Sequence, residues 1–146
     1  MGLSGWILTE ERITDIDCFK NDIMGILERF PCECHAYKKN DEYFISVVEN
    51  NDKYGISMYA SDYDAPQDIP FCNDQVYYFA IYIEKLDDDA QLNMLLKFMY
   101  YYLKLYPDHV FFHYGGIDWF YTKSDIEAIY ESGDWQDWCY IKPPKE

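Results

Sequence analysis

The sequence predicts an α+β domain: an antiparallel sheet of four to six strands backed by helices, in the order α-β(3-4)-α-β-β-α. Three observations lead there. Two segments repeat apolar residues at helical spacing, and each ends at a proline, Pro31 or Pro107. Between and after them lie runs of β-branched and aromatic residues separated by Asn, Asp and Gly. The 146 residues show no internal repeat, which suits a single domain over residues 1–146.

The elements follow in chain order. Residues 6–8 read as a short lead-in. Thr14 or Asp15 caps a helix running to Phe30, because Ile16, Phe19, Ile23, Ile26, Leu27 and Phe30 share one face. Residues 34–38 form a strand that turns at Asn40-Asp41. Residues 43–49 and 54–59 are paired strands around Asn50-Asn51-Asp52. Residues 60–75 carry Pro66, Pro70 and four aspartates, so they read as a long loop. The clearest strand is 76–84, with Tyr77, Phe79, Ile81 and Ile83 on one face and Val76, Tyr78, Ala80 and Tyr82 on the other. Asp87-Asp88-Asp89 suits a helix N-terminus, where free N–H groups favour negative charge. Its stripe is Leu92, Leu95, Leu96, Met99, Leu103 and Tyr106. Residues 110–114 and 117–121 read as a hairpin through a two-residue Gly115-Gly116 turn. A last helix opens at a Ser124–Glu127 capping box and stops at Gly133.

Acids outnumber bases 27 to 12, for a net charge of −15 and a pI near 4.3. That balance argues against nucleic-acid binding, which needs a basic face. No apolar run is long enough to predict a membrane span. The first residues lack the basic and apolar regions of a secretory signal. Five irregularly spaced cysteines do not suggest a disulfide framework, so a reducing cytoplasm is the expected compartment.

The charge is concentrated. Residues 59–89 hold eight acids against one lysine, and residues 118–139 hold six against one. The same segments carry Tyr59, Tyr63, Trp119, Tyr121, Tyr130, Trp135 and Trp138. Tryptophan and tyrosine are the usual anchors of interfaces, and rim charges steer encounter. The expected contact surface is therefore Asp62, Tyr63, Asp64 and Asp68 together with Trp119, Asp134, Trp135, Asp137 and Trp138. The competing reading makes the rings core and leaves the acids as a solubilising surface.

Chemistry is sparse. Cys32, Cys34, His109 and His113 have the residue types of a zinc site. On one strand, however, the two histidines would stand about 13 Å apart, too far for one ion. The Asp62-to-Asn73 loop lacks the glycine and glutamate of a calcium loop. Neither a nucleophile motif nor a phosphate loop occurs, so no cofactor and no catalytic residue is expected.

The stretch from Phe111 to Tyr121, followed by the helix near Ser124, resembles bacterial immunity proteins of polymorphic or contact-dependent toxin systems. The small size and the acid–aromatic segments add to the likeness. It implies no catalysis: such proteins bind a basic toxin, often a nuclease, and block it. A second resemblance is to bacterial secretion chaperones that dimerise through an apolar helix and hold an effector. A third reading is a small hydrolase built on a carboxylate pair.

Overall fold

The computed structural model describes residues 3–29, 32–40, 42–49, 55–61, 67–68, 76–86, 89–113, 120–136 and 138. In chain order these form β1 (Leu3–Thr9), α1 (Ile16–Leu27), β2 (Cys32–Lys39), β3 (Glu42–Glu49), β4 (Gly55–Ser61) and β5 (Gln67–Asp68). They continue as β6 (Val76–Leu86), α2 (Asp89–Leu105), β7 (Val110–His113), β8 (Phe120–Tyr121) and α3 (Lys123–Ser132). The strands pair in the order β2-β3-β4-β6-β1-β7-β8, with β5 added to β6, and every pairing is antiparallel. The fold is α+β, with more strands than the four to six expected. None of the described helices is long and apolar enough to cross a membrane.

The extra strands are β1 and the two-residue β5, which falls within the 60–75 stretch expected as a loop. Residues 6–8 are not a lead-in but lie between β6 and β7, with Trp6 opposite both Tyr82 and Phe112. Leu3-Ser4-Gly5 has weak β propensity, so the segment does not announce itself. Gly5 is there because the Phe111 ring crosses its position: a Cβ would lie 2.4 Å from the ring edge. Phe111 is wholly buried. Gly5→Ala is therefore expected to cost about 1–3 kcal/mol, read as a lower urea midpoint at unchanged slope.

Local chemistry explains the helices. The Asp15 side chain accepts from Cys18 N at 3.0 Å and caps α1, which buries the expected Ile16, Phe19, Ile23, Ile26 and Leu27. The helix ends at Leu27, and Phe30 and Pro31 lie outside the described residues. In α2 the buried set is wider than a stripe, adding Met94, Phe98 and Tyr102 to the expected leucines. The α3 cap is Thr122 rather than Ser124. Its hydroxyl accepts from Asp125 N, and the Asp125 carboxylate accepts from Thr122 N. Glu127 is thereby released to pair with Lys123 at 2.9 Å and Lys104 at 3.8 Å. Gly133, in the left-handed region at φ 77°, stops the helix as expected.

Two register features correct the expected strands. Ile7 pairs with Ile81, but Leu8 pairs with Phe79. That bulge breaks the alternation expected along β6 and puts Ala80 into the same core as Ile81 and Ile83. A two-residue turn at Gly115-Gly116 would set Phe111 opposite Phe120. The observed partners are Phe111 with Tyr121 and Phe112 with Phe120, one residue displaced. A one-residue slip exchanges the faces of a strand, so Tyr121 enters the core and Phe120 takes the opposite side.

The core fills one side of the sheet. Ile7, Ile45, Val47, Ile56, Met58, Ile81, Ile83, Phe111 and Tyr121 meet buried residues of all three helices there. Alternate residues of the same strands point away from the helices.

Candidate partner-binding surface

Those alternate positions carry an aromatic row. Tyr37 faces Phe44, Phe44 faces Tyr59, and Tyr59 faces Tyr82 in direct cross-strand register. Tyr82 faces Trp6, Trp6 faces Phe112, and Phe112 faces Phe120. Each of the seven strands β2-β3-β4-β6-β1-β7-β8 contributes one ring. Successive centroids lie 5.1–6.0 Å apart; Phe44 and Tyr59 meet edge-on, and the other pairs are tilted or stacked. At the usual strand spacing the row runs roughly 29 Å. Such cross-strand aromatic pairs stabilise a sheet, so part of their role is structural. Among the described residues no helix covers this side. Tyr37 is 59% exposed, Phe44, Tyr59, Tyr82, Trp6 and Phe120 are half-buried, and Phe112 is buried. Towards β7 the row meets Leu8 and Val110, which form a small second apolar cluster with Phe112.

Polar residues flank the rings. Tyr59 Oη donates to Glu84 Oε1 at 2.9 Å. Burial and that carboxylate push the Tyr59 hydroxyl up to about 12, so it stays a donor. Glu33, His35 and Lys39 are exposed on the same face of β2 as Tyr37.

The expected contact residues divide. Asp62, Tyr63, Asp64, Trp119 and Asp137 lie outside the described residues. Asp68 is placed in β5 opposite Val76, with its side chain outside the description. Asp134 is exposed just beyond α3. Trp135 is half-buried; its Nε1 donates to Tyr130 O at 3.0 Å, and its ring lies 5.0 Å from Tyr130. Tyr130 stacks on Tyr100 at 3.8 Å, with the Lys104 ammonium 4.3 Å from the Tyr100 ring. Trp138 is a correction: at 2% exposure it is core, with Nε1 donating to Leu92 O at 2.8 Å. An aromatic-rich tail reads as surface by sequence, but a tryptophan buries well wherever its N–H finds an acceptor. Asp125, too, is withdrawn from the acidic segment into its helix cap.

A cavity of about 310 Å³ opens between residues 9–13 and residues 105–109. Glu10, Glu11, Arg12 and Asp108 line it and are exposed. Thr9 and His109 are its buried members; His109 Nδ1 lies 2.8 Å from Tyr102 Oη, and its ring stacks on Tyr106 at 4.7 Å. Burial lowers His109 to about 4, so the ring is neutral near pH 7. Tyr106 in turn donates to the Asp22 carboxylate.

The zinc candidates are far apart. Cys32 and Cys34 sit on β2 at one edge, and four strands separate them from β7 beside His109. That separation is on the order of 20 Å, so the two pairs cannot share an ion. Among the described residues no cluster of three metal-ligating side chains occurs. The α2 stripe lies inside the core: Leu92, Leu95, Leu96, Met99 and Leu103 are all buried.

Sequence reasoning missed the aromatic row. Its only signal is one ring per strand at outward positions, and those positions align only once strand order and register are known. In comparisons with protein-family models, curated proteins and solved structures, the chain matches none.

Proposed function

We propose that the protein is a non-catalytic binding protein that captures a basic protein partner, in the manner of the immunity proteins its sequence resembles. The partner is a bacterial toxin, and the docking surface is the aromatic side of the sheet. One observation carries this reading: seven rings, one from each strand, are lined up on a side that no described helix covers, and all but Phe112 are exposed or half-buried. Large rings with low side-chain entropy concentrate binding energy. The net charge of −15 supplies the complementary field for a basic partner.

The test is co-expression with basic proteins encoded beside this gene. The expected result is that one of them, toxic alone, is silenced and co-purifies as a stoichiometric complex. Association should slow by about tenfold or more between low and physiological salt, because the charges that steer it become screened. Tyr37→Ala, at the exposed end of the row, should weaken the complex by roughly 1–2 kcal/mol without unfolding the chain. A complex indifferent both to salt and to Tyr37 would refute the assignment of this surface. The absence of any silenced neighbour would refute the toxin reading.

A further inference from the structure

We propose that the middle of the aromatic row is an arginine-receiving site, in which the Glu84 carboxylate and the rings of Tyr59, Tyr82 and Trp6 hold a guanidinium projecting from the partner. This rests on the sheet side being the docking surface, and it states what that surface reads.

Glu84 is two residues from Tyr82 on β6 and so shares its side of the sheet. It is half-buried, and Tyr59 Oη fixes one of its oxygens at 2.9 Å. The ion pairs formed among the described residues join Lys38 to Asp17 and Lys104 and Lys123 to Glu127; none reaches Glu84. A carboxylate partly withdrawn from water and given no cation by the described residues is stabilised by one brought from outside. The neighbouring rings narrow the kind of cation. Tyr59 and Tyr82 lie 6.0 Å apart, and Trp6 lies 5.5 Å from Tyr82. Aromatic faces beside a carboxylate suit a planar, weakly hydrated group that stacks and donates two parallel hydrogen bonds. Guanidinium meets that description and ammonium does not. Ring–cation contacts also occur on the helix side of the chain, where Arg29 lies 5.3 Å from the Tyr101 ring and Lys104 lies 4.3 Å from Tyr100. The site thus combines aromatic surface with a carboxylate that no described cation pairs, inside a strongly acidic molecule that raises the local concentration of cationic segments.

The probe is the peptide acetyl-Gly-Arg-Gly-amide, followed through the NMR ring signals of Tyr59, Tyr82 and Trp6. Those signals are expected to shift in a saturable way, while Tyr130 and Trp135 stay still. The lysine analogue should bind several-fold more weakly, and the uncharged citrulline analogue should leave the spectrum unchanged. Glu84→Gln keeps the shape and still accepts from Tyr59, yet it should weaken the arginine peptide by about tenfold or more. Tyr59→Phe, which frees the carboxylate, should weaken it by less, and Glu131→Gln should leave it unaltered. Equal shifts at Tyr130 and Trp135, equal binding of citrulline, or an undiminished response in Glu84→Gln would each overturn the site. Peptide binding without a silenced toxin would fault only the functional reading. A toxin complex indifferent to Glu84→Gln would fault only the arginine site.

Discussion

Trp138→Ala is expected to lower the unfolding free energy by about 3–5 kcal/mol, since a large buried ring is removed and its cavity cannot close. The indole is 2% exposed and packs against Phe111 at 5.9 Å and Tyr121 at 5.4 Å. Its N–H reaches back to Leu92 O near the start of α2, and Tyr121 Oη donates to the Trp138 carbonyl at 3.4 Å. Trp138 therefore ties the segment after α3 to both the sheet and α2. Trp138→Phe keeps most of the apolar contact and loses the hydrogen bond, so it should cost about 1–2 kcal/mol. In a domain of this size the alanine variant should melt roughly 10 °C lower. Urea and thermal unfolding check both variants. The same pair separates core from contact surface. A Trp138→Phe protein that binds its partner at full strength leaves this residue a structural role, whereas a large loss of affinity at intact stability would return it to the interface.

The second large effect is acid lability centred on His109. Its folded pKa is depressed to about 4 by burial, with Asp108 opposing the shift, while an unfolded histidine titrates near 6.5. The unfolded chain therefore binds the extra proton first as pH falls. Stability is fully present above about 6.5 and is lost progressively down to about 4, by roughly 3 kcal/mol in total. The ring has little room to accept charge. Tyr102 holds Nδ1, Tyr106 stacks on its face, and Tyr106 is itself engaged by Asp22. Asp17 and Glu127, held below the usual carboxylate range by Tyr43 and Lys38 and by Lys123 respectively, add their losses only in still more acid solution. Urea midpoints at pH 7 and pH 4.5 should differ clearly in the native chain. They should differ much less in His109→Gln, which has no ring to protonate. An imidazole resonance of His109 moving near pH 6.5 would contradict this account.

Much of the fold was legible in short stretches of sequence. The α1 face from Ile16 to Leu27, its cap at one of the two positions Thr14 and Asp15, the leucines of α2, the Gly133 stop and strands β2, β3, β4 and β6 all appear where periodicity and propensity put them. These signals act over a few residues, and the competing conformations lack them. The α3 cap was misplaced by two residues because Ser124 and Thr122 carry similar chemistry. Only the extended backbone at Thr122 decides between them.

The surface on which the functional reading depends was not legible in this way. Tyr37, Phe44, Tyr59, Tyr82, Trp6, Phe112 and Phe120 are scattered through the chain, and nothing local marks them as neighbours. They become a row because β1 is inserted between β6 and β7, so that Trp6 meets Tyr82 on one side and Phe112 on the other. They share a side because the β7–β8 register is displaced by one residue, which turns Phe120 outward. The amino-acid sequence alone determined composition, charge and the helical and strand segments, because those depend on residues close in the chain. Strand order, register and the fate of each ring were decided by the tertiary structure, because cross-strand pairing is a contest among distant segments that no short window contains.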